Sequence, residues 1–77
     1  ASMKATIYMR DDSGALYQGA TEWDRYIEKA ILRAHKHTKN AWDLPTWAEV
    51  DGKSYNYQIY YNPDTGKDIV IAEEIDE

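Results

Sequence analysis

His35 and His37 are the residues whose type most readily suggests catalysis or metal binding, and they are the only histidines in the chain. Two positions apart on a helix they diverge by about 200°, so they do not converge on one ion as an i, i+4 pair would. Neither sits in a zinc spacing, and no metal is expected; an exposed His35 and a part-packed His37 suffice to explain them. Asp11 and Asp12 lie in a turn whose neighbours lack the oxygen ligands that a calcium loop places at fixed offsets. Ser2, Ser13 and Ser54 show no nucleophile-elbow pattern, there is no Gly-rich phosphate loop, and the absence of cysteine rules out thiol chemistry. The expectation is a protein that is not an enzyme and holds no cofactor.

What remains are two surfaces suited to binding. One is aromatic. Four of the seven tyrosines fall in YNYQIYYN, residues 55–62, and the chain has no phenylalanine. In a strand, residues 55, 57, 59 and 61 share one face and 54, 56, 58 and 60 the other. The first set (Tyr, Tyr, Ile, Tyr) is expected against a helix, where a thin core leaves ring edges near solvent and a hydroxyl finds water. Tyr60 falls on the opposite face. Trp47 is expected across from Asn56, and Tyr8 and Tyr17 are expected to share that face, with Glu49 among them. Aromatic residues clustered on an uncovered sheet suggest an interaction surface, because they bury much area at little rotamer cost.

The other surface is basic. Arg25, Lys29, Arg33 and Lys36 recur every three to four residues and predict a stripe along a helix, of the kind that contacts phosphates. The chain as a whole is acidic, with a net charge of −5 and fourteen acidic against nine basic residues. Residues 22–39 hold five of the basic and three of the acidic residues, so the rest is strongly negative. That field repels a polyanion and attracts a basic protein surface.

Several elements must position these groups. Ala5, Ile7 and Met9 alternate with Thr6, Tyr8 and Arg10, the period of a half-buried strand. The turn Asp11–Gly14 returns the chain into a second strand, expected over about Ala15 to Gly19, with Met9 facing Leu16. Thr21 reads as an N-cap, with Glu22 and Asp24 in a first turn. Trp23, Tyr26, Ile27, Ala30, Ile31 and Ala34 then predict an amphipathic helix from about Glu22 to Thr38, ended near Asn40. Trp42 and Leu44 are expected to tuck onto the core before Pro45. Thr46–Val50, Asp51-Gly52 and Lys53–Tyr61 read as a hairpin, and Lys67 to about Ile75 as the last strand after a Pro-Asp-Thr-Gly turn. Ile27, Ile31, Ile59 and Ile71 are expected to meet between helix and sheet.

The fold class is therefore α+β: one domain over residues 3–77, ordered β-β-α-β-β-β, an antiparallel sheet with one amphipathic helix on one face. Ala1-Ser2 reads as a cloning scar before Met3, and residues 73–77 as an acidic tail. No apolar run reaches the length of a membrane span, and the expected location is cytoplasmic. The leading functional expectation is a small acidic protein-binding module, monomer or homodimer, that occupies a basic, nucleic-acid-binding surface of a larger protein. An inhibitor of a phage or mobile element is the concrete form, with carboxylates standing in for phosphates. A nucleic-acid-binding regulator using the basic stripe is the alternative, and an assembly subunit self-associating through the open sheet face is another.

Overall fold

The computed structural model describes residues 1–38 and 42–76. Strands β1 (Met3–Arg10), β2 (Leu16–Asp24), β3 (Leu44–Val50), β4 (Lys53–Asn62) and β5 (Lys67–Glu74) form one antiparallel sheet, and the helix α1 (Ile27–Thr38) lies between β2 and β3 in sequence. Their order across the sheet is β2-β1-β3-β4-β5. The long β2–α1–β3 connection places β3 beside β1, which makes β2 and β5 the edges.

The helix packs on one face. Ala30, Ile31 and Ala34 meet Ala5, Ile7 and Met9 of β1, Ala48 and Val50 of β3, and Val70 of β5. All nine are buried and none is aromatic; Ile27, Tyr55, Tyr57 and Ile59 pack around them half-buried. Tyr55 and Tyr57 of β4 thus sit at the margin of a thin aliphatic core, with the ring body partly covered, and the Tyr57 hydroxyl meets His35. Tyr61 shares their face, across from Asp68, but is exposed.

Hairpin β3–β4 closes through Asp51 and Gly52, both at positive φ (49° and 83°), and pairs Val50 with Lys53. Two successive positive φ values are what a two-residue hairpin turn with the right twist demands, and Asp-Gly supplies them at low cost. At the other hairpin, Asn62 Oδ1 accepts from the Asp64 backbone N–H (2.9 Å), and Gly66 takes a φ of 70°.

Four sequence expectations are corrected by β2, the first being its end, since it runs on to Asp24 instead of stopping near Gly19. The residues read as a helix cap and first turn, Thr21, Glu22 and Asp24, are strand residues paired with Thr6, Ala5 and Met3. Asp24 Oδ1 then accepts from the Tyr26 N–H (3.1 Å), turning the chain into a helix that starts at Ile27. Trp23 leaves the helix face altogether; it lies across from Lys4 and is 51% exposed. A register shift between Thr6 and Tyr8 changes the phase of β2, so Met9 faces Tyr17, not Leu16. Ile71 is also corrected: it faces Gln58 and is 56% exposed, while Val70 and Ala72 take the helix side. Trp42 and Leu44 are exposed and do not tuck onto the core. The expected helix end at Asn40 lies outside the described residues.

Candidate functional site

The face opposite α1 is uncovered by any described element, and its side chains follow from the ladder. Opposed residues share a face. Gln18, Tyr8 and Trp47 therefore form one cross-strand row, Thr21, Thr6 and Glu49 the next, and Leu16, Arg10 and Leu44 the row beyond Tyr8. Tyr8 and Trp47 stack with ring centroids 4.0 Å apart and planes inclined by 9°. Gln18 Nε2 donates to the Tyr8 hydroxyl (3.0 Å), and the Thr6 and Thr21 hydroxyls bond to each other (2.7 Å). Tyr8 is thus held by Gln18 on one side and by Trp47 on the other, so its ring is set in place before any partner arrives.

Tyr60 lies on the same face but in a second patch. The β3–β4 ladder ends at Ala48 and Tyr55, whereas β4 continues beside β5 alone, pairing Tyr60 with Ile69. The expected pairing of Trp47 with Asn56 is therefore not formed, and Tyr60 lies five residues, or about 16 Å, along β4 from Tyr55, the last residue paired with β3. Its hydroxyl donates to Gln58 Oε1, and Tyr60, Ile69 and Ile71 are each roughly half exposed.

Of the residues expected to act together, the structure groups Tyr8, Trp47 and Glu49, places Tyr60 in the adjoining patch, and removes Tyr17. Tyr17 is a correction. Its phase puts it on the helix side across from Met9, where its hydroxyl donates to Asp43. Sequence reading missed Trp23, Ile69, Ile71, Leu16 and Leu44 on the open face. The β-prone run at 69–71 was the available signal, but three consecutive apolar residues carry no alternation to fix their phase.

The basic stripe is dispersed. Arg25 lies before the helix, over the Tyr26 ring at 5.4 Å, and Lys29 lies over the same ring at 5.3 Å. Arg33 reaches Glu22 (3.5 Å) and Asp24 (3.9 Å), and Lys36 reaches Asp68 (3.5 Å). Two of the four cations thus meet carboxylates of the chain itself, which weakens the stripe as a phosphate-binding row.

The histidines are placed the other way round from expectation. His37 is the exposed one and bonds Glu22 Oε2 (2.7 Å), while the part-buried His35 bonds the Tyr57 hydroxyl (2.9 Å) with its ring edge-on to Tyr57 at 5.6 Å. The His37 hydrogen bond, aided by the charges of His37 and Arg33 and opposed by burial, holds the Glu22 carboxyl below the usual range. Asp11 is lowered too, chiefly by the Ser13 hydroxyl, with backbone N–H groups of its turn adding to it. Among the described residues no group of three or more His, Asp or Glu side chains could hold a metal ion.

Burial pushes the Tyr57 hydroxyl up to about 12. A raised acid favours the fold while neutral, so the contribution of Tyr57 is complete below pH ~10, its unfolded value, and is lost as pH climbs to about 12. With the ring only half-buried, the loss is expected to be about 1 kcal/mol after discounting for solvent. In a spectrophotometric alkaline titration, Tyr57→Phe should remove absorbance change near pH 12. A titration above pH ~11 that is the same in the variant and the wild type would contradict this.

Comparison of the chain with protein-family models, with curated proteins and with solved structures found no match.

Proposed function

We propose that the protein is a small non-enzymatic binding module whose working surface is the open sheet face, and that its partner is a basic surface of a larger protein. The observation that carries this reading is the Tyr8–Trp47 stack, braced by Gln18 on a face that no described element covers. A pre-set aromatic pair loses little rotamer freedom on docking, which is the property of an interface anchor. Trp23 extends the apolar surface along β2, and Tyr60, Ile69 and Ile71 extend it across β4 and β5.

Charge acts mainly at a distance. The face itself is mixed, with Glu49 and Glu73 against Lys4, Arg10 and Lys67. A row of carboxylates imitating phosphates has little support there. The chain's net charge of −5 still steers a basic partner and speeds encounter, while the rings hold the complex together. Seated over a nucleic-acid-binding surface, such a module acts as an inhibitor, the role that a phage or mobile element would give it.

The test is affinity capture from source-cell lysate by the wild type and by two variants, Trp47→Ala and the paired charge reversal of Arg25 and Lys29. Trp47→Ala should lower stability by about 1–3 kcal/mol, from the lost stack together with part of the ring's buried area. It should weaken a captured basic protein by about 2 kcal/mol or more, roughly 30-fold. The helix variant should capture as the wild type does. Capture that depends on Arg25 and Lys29 and carries nucleic acid would overturn the reading in favour of a nucleic-acid regulator.

A further inference from the structure

From the geometry of the sheet edge we infer that β5 is a self-association strand, pairing antiparallel with β5 of a second copy about a twofold axis at Val70. This does not depend on the open-face reading: the backbone edge of β5 carries it, and of the open-face side chains it draws in only those of β5 itself.

The ladder fixes which backbone groups are available. Ile75 N–H donates to the Ser54 carbonyl (2.8 Å), so Ser54 turns its backbone groups toward β5, and alternate residues of β4 do the same. Their partners Lys67, Ile69, Ile71 and Glu73 point back to β4. Asp68, Val70 and Ala72 therefore direct their N–H and C=O groups outward, and no described residue pairs with them. Edge strands are normally blunted by proline, a bulge, a covering segment or charged side chains, and β5 carries its charges only at its two ends, Lys67 and Asp68 at one and Glu73 and Glu74 at the other. Here the β4–β5 register runs without a shift and the strand contains no proline.

Side chains select the occupant and the register. In an antiparallel pair the opposed residues share a face, so a twofold axis must pass through a residue. With the axis at Val70, Val70 meets its own copy and Asp68 meets Ala72, joining the outward backbone groups through about six hydrogen bonds. On the open face Lys67 then lies opposite Glu73 of the second copy, and Ile69 opposite Ile71, each contact occurring twice. Moving the axis to Ile71 would set Ile69 against Glu73 and Asp68 against Glu74. Moving it to Ile69 would set Lys67 against Ile71. On the open face only the Val70 register matches charge with charge and apolar with apolar, and on the helix side it keeps Asp68 away from Glu74. The half-exposed Ile69 and Ile71 each gain an apolar neighbour across the new strand pair, and the two sheets join into one.

An interface of one strand pair is small, at the low end of specific interfaces, so the dimer forms in the micromolar range or above. Sedimentation velocity over about 5–500 µM should show a concentration-dependent dimer. Lys67→Glu and Glu73→Lys should each weaken it about tenfold, and combining them should restore it. Glu73→Lys is the more telling, because it makes the chain less negative and would strengthen association if only net repulsion mattered. In wild-type protein the Val70 and Ala72 amides should exchange more slowly as concentration rises. A monomer throughout that range, or a dimer indifferent to both single reversals, would overturn the inference.

Discussion

Ile31→Ala is expected to remove about 2–5 kcal/mol of stability, the range for truncating a fully buried aliphatic side chain. Ile31 is 0% exposed on α1, in the centre of the layer between the helix and β1 and β3. A 77-residue chain without disulfides has little reserve, since domains of this size lie toward the lower end of the usual range of about 5–15 kcal/mol. Much of the protein should therefore be unfolded at 37 °C in this variant. Ile71→Ala removes the same atoms from the open face and should cost under about 1 kcal/mol in the monomer. Equilibrium denaturation of both variants, at a concentration where the protein is monomeric, checks the pair. Equal losses would mean that the phase of β5 is reversed.

The second large effect is expected at Gly19. A Cβ placed there would lie 2.3 Å from Thr38 Cγ2 and 2.8 Å from Thr38 Oγ1, with the Ile7 carbonyl oxygen at 3.1 Å. Thr38 cannot simply rotate away. Its hydroxyl accepts from the Ala20 N–H (2.7 Å) and donates to the Ala34 carbonyl (2.7 Å), tying the end of α1 to β2. Gly19→Ala should thus cost about 1–3 kcal/mol through overpacking, together with the loss of that tie. Thr38→Ala alone should cost about 1 kcal/mol. Because Thr38→Ala also removes both crowding atoms, the double variant should be more stable than the sum of the single losses implies. Additive losses in thermal or denaturant unfolding would show that the clash is not the cause.

The sequence's legibility divides along physical lines. The Asp51-Gly52 turn and its Val50–Lys53 register were readable because two successive positive φ values leave few residue choices. The core face of the helix was readable because Ile27, Ala30, Ile31 and Ala34 keep their spacing whatever the helix packs on. The open-face positions of Tyr8, Trp47 and Tyr60 followed from alternation within regular stretches of strand. Where the ladder is irregular, alternation fails. The shift between Thr6 and Tyr8 changes the phase of β2, which sent Tyr17 to the helix side and hid Trp23 from the face it occupies. Thr21-Glu22-Trp23-Asp24 also carries the residues of a helix start, and only pairing with β1, a contact between segments far apart in sequence, makes it a strand. Ile71 was misplaced for a simpler reason: in Ile69-Val70-Ile71 size favours isoleucine for the core, but the helix leaves room there only for Val70 and Ala72.

The central claim is that the open sheet face, and not the helix side, meets the partner. Hydroxyl-radical footprinting of the protein, free and bound to its captured partner, tests it most directly, because each ring reports its own cover. The account predicts protection of Trp23, Trp47 and Tyr60, with Tyr26 and Tyr61 labelled as in the free protein. Protection of Tyr26 and Tyr61 with Trp47 and Tyr60 unchanged would contradict it.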